Sequence, residues 1–330
     1  MHRFTFRLLG FVLMTASSAV LAQSAATSAV QSYPNKPIRV IVPFPPGGTS
    51  DILGRLVGAK LTERWGQQII IESRTGAGGL IGSELVTRAP PDGYTLLMTD
   101  LRSPLIANLV QPKQTFDYVR DLTPVIELSY SPHLLCTHPS LPVRNVKELI
   151  ALGKRRPGEL NYAAAVAGAP QLAGVDFANR AGIKWTYITG RGGAQSVMDV
   201  MQGQADVLFN GMVATYPHVK SGRLRLLAVS SAQRNPNLPD IPTVAESGMP
   251  GFLTGSWQGI LAPAGTSPEI LNKIYTEISR IIAAPDMKEK LLAQGADPLS
   301  TAPAEARVGL IAERDRLVKL FRETNYKAGQ

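Results

Sequence analysis

Short apolar runs alternate with amphipathic stretches along most of the chain, which is the hydrophobic pattern of an α/β protein. The first run, Ile38–Phe44, is rich in β-branched residues and predicts a buried strand. Apolar residues at helical spacing follow it as far as Trp65, and Gly66 predicts the end of that helix. Similar apolar runs predict further strands over 68–73, 92–98, 160–165, 184–189, 205–209, 224–230 and 256–265. Similar amphipathic stretches predict further helices over 80–88, 146–154, 170–181, 194–202, 268–284, 286–294 and 304–323.

This alternation also predicts how the chain is divided. Short apolar strands joined by helices form mainly parallel sheets, because each helix returns the chain to the same edge of the sheet. The length of 330 residues is enough for two such units. A loop rich in Pro, Gly and Asn at 234–251 has the composition of a connection between them. We therefore predict one domain formed by 33–130 and 251–330 and a second formed by 131–250, so that the chain crosses twice between them.

The first residues predict a secretory signal peptide. Two arginines precede a mainly apolar stretch, Leu8–Val20, that is too short to span a bilayer, and small residues lead to a cleavage site after Ala22. We expect residues 1–22 to be removed and the mature chain to be exported, most simply to a bacterial periplasm. The single cysteine, Cys136, cannot form an internal disulfide and is expected to be a buried, inert thiol.

The chain is basic, with a formal net charge of +9, to which the two arginines of the predicted signal peptide contribute. A basic protein suits nucleic acid or an anionic ligand. The Lys and Arg residues are scattered, however, and the densest cluster, Lys154–Arg156, is typical of a solvated helix end. Because export also separates the chain from nucleic acid, we expect no nucleic-acid partner, and we expect the protein to act as a monomer.

The loop at 43–51, with the sequence PFPPGGTSD, lies between the first predicted strand and the first predicted helix. Open α/β sheets bind ligands at this edge, and a helix N-terminus presents unpaired N–H groups and a positive partial charge. The two glycines would let these donors approach an anion, and Asp51 would cap the helix or accept a hydrogen bond from the ligand. The loop has neither a Walker Lys–Ser/Thr pair nor the G-x-G-x-x-G pattern. A tight turn with an ordinary N-cap stays open as the alternative.

No arrangement of residues in the sequence indicates catalysis or a bound metal. Hydrolysis needs a nucleophile with a base or a metal, and the sequence has no G-x-S-x-G or H-E-x-x-H motif. His133 and His138 flank Cys136, but alternation along a strand would place the two histidines on opposite faces. We therefore expect neither a cofactor nor a metal, and an exported enzyme is the less favoured class of protein.

Three long segments carry a resemblance to a known family. They read YPNKPIRVIVPFPPGGTSDILGRL at 33–56, GAGGLIGSELVTRAPPDGYTLL at 76–97 and RLLAVSSAQRNPNLPDIPTVAESGMPGF at 225–252. In this order they strongly resemble the receptors of tripartite tricarboxylate transporters, the Bug or TctC-like family. The resemblance implies the two-lobed periplasmic binding protein fold, an α/β fold in which each lobe is a mainly parallel sheet flanked by helices. It also implies that a small organic carboxylate is bound in the cleft between the lobes and delivered to the membrane subunits of such a transporter.

The resemblance further assigns ligand-binding residues, which lie on loops that would face the cleft. It implies that the ligand contacts Phe44, Pro46, Gly47, Gly48, Thr49, Ser50 and Asp51 from the first lobe, and Ala165, Val166, Ala167, Gly168, Ala169, Arg191, Gly192 and Asn210 from the second. Arg102 follows the third predicted strand, where the family usually has small or hydroxyl residues. It is either a bidentate grip for a carboxylate or a surface residue.

The second lobe departs from the pattern of the family. Its loop AAAVAGAPQLAG at 163–174 lacks the usual hydroxyls and histidine, Gly190 stands where an aromatic is customary, and Asn210 replaces a common Asp. These changes predict a pocket that is less acidic and poorer in hydroxyls. Our hypothesis is a ligand with an apolar or aromatic body and one or two carboxylates, rather than citrate or an acidic amino acid. A carboxylate sensor that feeds a membrane signalling protein is the alternative to an uptake receptor.

Overall fold

The computed structural model describes residues 33–111 and 115–324, so the predicted signal peptide and its cleavage site lie outside the described residues. Within these ranges the strands are β1 (Ile38–Val42), β2 (Ile69–Ser73), β3 (Thr95–Asp100), β4 (Leu122–Thr137), β5 (Asn161–Ala165), β6 (Thr186–Gly190), β7 (Val207–Gly211), β8 (Arg225–Val229), β9 (Gly255–Pro263) and β10 (Asp297–Thr301). The helices are α1 (Thr49–Trp65), α2 (Leu80–Thr87), α3 (Arg102–Val110), α4 (Tyr118–Asp121), α5 (Val146–Arg155), α6 (Ala169–Ala181), α7 (Gly193–Met201), α8 (Met212–Lys220), α9 (Pro268–Ala283), α10 (Pro285–Ala293) and α11 (Pro303–Thr324).

The predicted alternation of strands and helices is confirmed. The strands β1–β3 and β5–β9, and the helices α1, α2, α5–α7 and α9–α11, lie where the apolar pattern predicts them. The pattern did not predict β4, β10, α3, α4 or α8. Proline explains part of this, because Pro132 lies within β4 and Pro217 within α8. Proline is disfavoured inside strands and helices, so these segments lack the ordinary composition of their elements.

The strands form one continuous sheet with the order β2-β1-β3-β9-β4-β7-β5-β6, and β8 and β10 also pair with β4. β1 pairs in parallel with β2 and β3, and β5 pairs in parallel with β6 and β7. β4 and β9 run antiparallel to their neighbours. The 16 residues of β4 join the two groups of parallel strands. Its first part pairs with β9 and β10, and its last part pairs with β7 and β8.

Each group of parallel strands has a hydrophobic core on both of its faces. We call the half around β1–β3 the first lobe and the half around β5–β8 the second lobe. In the first lobe, α1, α9 and α10 pack on one face and α2, α3 and α11 on the other. In the second lobe, the cluster around Phe177 covers one face and the cluster around Leu208 covers the other. The residue limits given above for the two domains stay predictions.

Candidate functional site

A cavity of about 60 Å³ lies between the two lobes, where β1, β3, β5 and β7 end. The lobes touch beside it, because Ala167 and Ala169 of the second lobe pack in one hydrophobic cluster with Leu101 and Leu105 of the first. The carboxyl ends of parallel strands are the edge at which open α/β sheets bind ligands. The cavity is therefore the candidate binding site.

The start of α1 forms the wall of the cavity in the first lobe. Gly48 is its N-cap residue, with φ −77° and ψ 166°, and no side chain caps the first turn. The N–H groups of a first helical turn have no acceptor within the helix. Gly47, at φ +80°, donates its N–H to Asp51 Oδ2 at 2.9 Å, and Arg55 Nε donates to Asp51 Oδ1 at 3.0 Å. Asp51 therefore holds the loop in shape from behind.

Three helices of the second lobe begin at the same cavity. Their N-cap residues are Gly168 for α6, Gly192 for α7 and Gly211 for α8, and none of these glycines has a side chain that could cap its own first turn. The three glycines line the cavity together with Gly48. Each helix N-terminus carries roughly half of a positive elementary charge. Four such N-termini converge on one small volume, and this arrangement can hold an anion without a cationic side chain.

The two lobes are joined directly at the rim of the cavity. Ser103 Oγ of α3 accepts a hydrogen bond from the backbone N–H of Ala169 at 3.1 Å and donates one to Asp100 Oδ2 at 2.6 Å. Gly192 lies so close to Pro45 that an added Cβ would stand 2.6 Å from the Pro45 Cδ atom. The structure therefore has the lobes closed, with the helix N-termini of each lobe facing the other.

Two buried ionisable side chains line the cavity. Burial raises the pKa of Asp100, although hydrogen bonds from Ser103 and from two backbone N–H groups oppose the shift. Burial lowers the pKa of His133 to about 3, with a smaller contribution from the nearby charge of Arg102. His133 is therefore uncharged at neutral pH. Among the described residues that line the cavity there is no Lys or Arg side chain.

The structure brings many of the predicted site residues together. Those that line the cavity are Phe44, Gly48, Thr49, Ser50, Ala165, Val166, Gly168, Gly192 and Asn210. The others lie outside its lining. Pro46, Gly47 and Arg191 are exposed, whereas Asp51, Ala167 and Ala169 are buried behind the loops. Contacts between a ligand and these outer residues stay predictions.

Arg102 also lies outside the lining of this cavity. Its guanidinium stacks on the Trp257 ring at 3.3 Å, and its Nε lies 3.3 Å from Oε1 of Glu313. With Glu313 and Arg316 it lines a second cavity, of about 190 Å³. Arg102 thus ties α3 to α11 through Glu313, while Trp257 covers its guanidinium. A carboxylate grip by Arg102 stays a prediction.

The cavity also contains residues that the sequence pattern did not select. These are Gly78, Asp100, Ser103, His133, Pro170, Gly193, Gly211, Ser256 and Gln258. Asp100 ends β3 and Gly211 ends β7, so the rule that ligands bind beyond the carboxyl ends of strands would have found both. The expectation of a less acidic pocket than is usual in the family stays a prediction. Asn210 stands where a carboxyl was expected, but Asp100 places another carboxyl in the cavity.

The described residues also bear on three other possibilities, a metal site, a membrane-spanning helix and a reactive thiol. Over 33–111 and 115–324, no group of three or more His, Cys, Asp or Glu side chains is arranged to hold a metal ion. In the same part of the chain, no helix combines the length and the apolar character needed to cross a bilayer. Cys136 is buried as predicted, and burial raises the pKa of its thiol.

Comparisons with known proteins agree with this geometry. Residues 53–323 match the family described as "Tripartite tricarboxylate transporter family receptor" (TctC). Protein BugT of Bordetella pertussis is 34% identical over 305 residues, which are 92% of this chain and 94% of BugT. The solved structure of R. palustris Rpa4515 with adipate has 34% identity and a TM-score of 0.84, covering 88% of this chain and 97% of that one. MatC (Rpa3494) from Rhodopseudomonas palustris with bound malate has 29% identity and a TM-score of 0.81, covering 86% and 98%.

These matches decide the fold and the family. The similar structures are periplasmic binding proteins, and the two-lobed α/β fold that they share is the fold of this chain. The family consists of receptors that bind solutes rather than of enzymes. Because the match spans most of the residues, the chain belongs to the tripartite tricarboxylate transporter receptor (TctC) family.

Proposed function

We propose that this chain is a periplasmic solute-binding protein that captures a small organic carboxylate for a tripartite tricarboxylate-type transporter. The observation that supports this most is the convergence of four glycine-capped helix N-termini, at Gly48, Gly168, Gly192 and Gly211, on one cavity. Each N-terminus favours an anion by about 0.3–1 kcal/mol when exposed and by up to ~2 kcal/mol when partly buried. Together they provide the positive potential that a carboxylate needs.

The size and the lining of the cavity narrow the choice of ligand. A volume of about 60 Å³ corresponds to roughly four to six water-sized positions, so a compact acid suits the closed lobes. Phe44, Ala165 and Val166 make part of the lining apolar. We therefore propose a ligand whose carboxylate is held by the helix N-termini and whose body is largely apolar, either aliphatic or aromatic. The adipate of Rpa4515 and the malate of MatC are compact acids too.

Isothermal titration calorimetry on the mature chain tests the proposal. We would titrate adipate, benzoate, malate and citrate, with adipamide as the uncharged counterpart of adipate. At least one compact acid should bind saturably, and adipamide should give no heat of binding, because helix N-termini favour the charged group. Adipamide that binds as tightly as adipate would contradict the proposal. Proton NMR of the bound acid after overnight incubation should show an unchanged compound, as expected of a receptor.

Delivery to a transporter is tested separately. Cells that contain this chain and both membrane subunits should accumulate the labelled acid, and cells that lack only this chain should not. Unchanged uptake together with a changed transcriptional response to the acid would instead support the carboxylate sensor. We expect the chain to act as a monomer in both settings, which analytical ultracentrifugation checks.

A further inference from the structure

Asp100 is the one acidic side chain among the described residues that line the cavity. It ends β3, is only 6% exposed, and lies beside the helix N-termini proposed to hold a carboxylate. A buried carboxylate next to a bound anion repels it, since charges interact strongly where little water separates them. An anion site that keeps such a group therefore needs a compensating positive charge or hydrogen-bond donor.

The chain provides only part of this compensation. Ser103 Oγ donates to Asp100 Oδ2 at 2.6 Å, whereas the backbone N–H groups of Arg102 and Trp257 reach Oδ1 at the longer distances of 3.4 and 3.3 Å. An ionised carboxylate has about four acceptor positions. At least one acceptor position of Asp100 is therefore left for a donor inside the cavity.

The side chains of Arg102 and His133, which lie near Asp100, make their contacts with other residues. The guanidinium of Arg102 stacks on Trp257 and faces Glu313, so it acts on Asp100 through its nearby charge but does not enter the cavity lining. His133 lines the cavity, but its Nδ1 lies 3.2 Å from Thr254 Oγ1 and its ring is uncharged at neutral pH. A ligand in the cavity is therefore well placed to supply the remaining donor.

We propose that Asp100 is a specificity-determining residue, which selects carboxylates that also carry a hydroxyl or ammonium group. The helix N-termini hold the carboxylate of the ligand, and Asp100 accepts a hydrogen bond from its donor group. This inference rests on the proposed function and adds the chemical class of the ligand. A simple acid of the same shape leaves Asp100 without that donor and meets its negative charge.

Matched pairs of acids test the inference by calorimetry on the mature chain. The pairs are succinate and malate, succinate and aspartate, butyrate and 3-hydroxybutyrate, benzoate and 4-hydroxybenzoate, and phenylacetate and mandelate. In at least one pair the donor-bearing acid should bind about tenfold to a hundredfold more tightly, the effect of one hydrogen bond to a charged group. In Asp100→Asn that preference should fall by about tenfold, and the parent acid should bind more tightly than it does to the wild type, because the negative charge is gone.

The control is Asp199→Asn, which changes a buried Asp in α7 that does not line the cavity. It should keep the wild-type preference, and circular dichroism melts of both variants should report an intact fold. If Asp100→Asn does not fold, Asp100→Ser repeats the test. Equal affinity within every pair, or a preference that survives the loss of Asp100, overturns the inference while carboxylate binding stands. If no acid of any pair or of the earlier panel binds the wild type, the proposed function itself fails.

Discussion

At the scale of single residues, the proposed recognition of a carboxylate depends on glycines, which have no side chain. Gly48 adopts an extended conformation that any residue can take, so its lack of a side chain is not required by the backbone. A Cβ added there would meet only the Pro45 carbonyl oxygen, at 3.4 Å. The absence of a side chain instead leaves the first N–H groups of α1 open to the cavity.

Gly48→Val should therefore separate binding from folding. The valine fills the cavity and covers the first turn of α1, so carboxylate affinity should fall by about tenfold to a hundredfold. The free energy of unfolding should fall by no more than about 1 kcal/mol, the usual effect of a poor N-cap. Calorimetry and urea denaturation measure the two quantities.

The matched control for this prediction is Gly309→Val in α11. An added Cβ there meets nothing within 4 Å, and Gly309 is exposed and does not line the cavity. The control should bind the acid as the wild type does. Wild-type affinity in Gly48→Val would remove α1 from the binding site.

His133 gives a prediction about pH. Burial lowers its pKa from 6.5 to about 3, so the unfolded chain takes up the proton more readily than the folded chain. Its contribution to stability is complete above pH 6.5 and is lost as the pH falls from 6.5 towards 3. Between pH 7.5 and 5, His133 should lower the free energy of unfolding by about 2 kcal/mol.

Urea denaturation of His133→Asn at the two pH values measures this loss. The wild type should lose about 2 kcal/mol more than the variant does. The same substitution at His138, which is partly exposed at the end of β4, serves as the control and should keep the wild-type dependence on pH. An equal loss in wild type and His133→Asn would show that His133 is not responsible.

At the scale of elements, the four helices that face the cavity give up their side-chain caps. Asn145 caps α5 and Ser267 caps α9 in the ordinary way, each accepting from a backbone N–H of the first turn. Replacing a capping side chain by glycine costs a few tenths of a kcal/mol. The helices at the cavity therefore lose little stability by having glycine there. Their N-cap residues occupy none of the first N–H groups, although the Ala169 N–H of α6 donates to Ser103 Oγ.

Gly168→Asp should restore the cap of α6 and weaken binding. Gly168 has an extended backbone, and an added Cβ would make only ordinary contacts, the nearest at 3.5 Å. The free energy of unfolding should change by less than about 0.5 kcal/mol. Carboxylate affinity should fall by at least about tenfold, because the new carboxylate occupies the N–H groups and repels the ligand.

Gly168→Asn is the matched control, since it caps the helix without a charge. Its affinity for the acid should lie between those of the wild type and Gly168→Asp in a calorimetric titration. Equal affinities in the two variants would mean that charge at the start of α6 plays no part in binding.

The elements that the sequence predicted well are helices with one apolar stripe and strands with a continuous apolar run, which pack against a hydrophobic core. The apolar period reveals such segments directly, which is why β1, α1 and α9 lie where they were expected. β4 is buried on both faces along much of its length and contains prolines, so neither alternation nor composition identifies it. Arg102 was a plausible carboxylate ligand, but its partner Glu313 lies on α11, and only the fold shows that pairing.

At the scale of the whole molecule, the site exists only when both lobes contribute. α1 belongs to the first lobe, and α6, α7 and α8 belong to the second, so separating the lobes moves the N-terminus of α1 away from the other three. A ligand stabilises the closed arrangement only through contacts that the open one does not provide. Ser103 strengthens the closed form because it links Asp100 of β3 to the start of α6.

Gly192→Val should keep the lobes apart. The new side chain would collide with the Pro45 ring, which lies across the cleft on a loop of the first lobe. Small-angle X-ray scattering of the wild type should show a smaller radius of gyration when a bound acid is present, whereas the variant should show no change. Gly309→Val should respond as the wild type does, and a ligand-induced contraction in Gly192→Val would contradict the closure described here.

The glycine caps have a consequence for how such proteins change over time. On the proposed function, a grip made of main-chain amides would persist through replacements of the neighbouring side chains. A substitution of a cavity side chain such as Asp100 would then change which acid is preferred while that grip stays in place. The same main-chain scaffold would therefore serve receptors that prefer different acids.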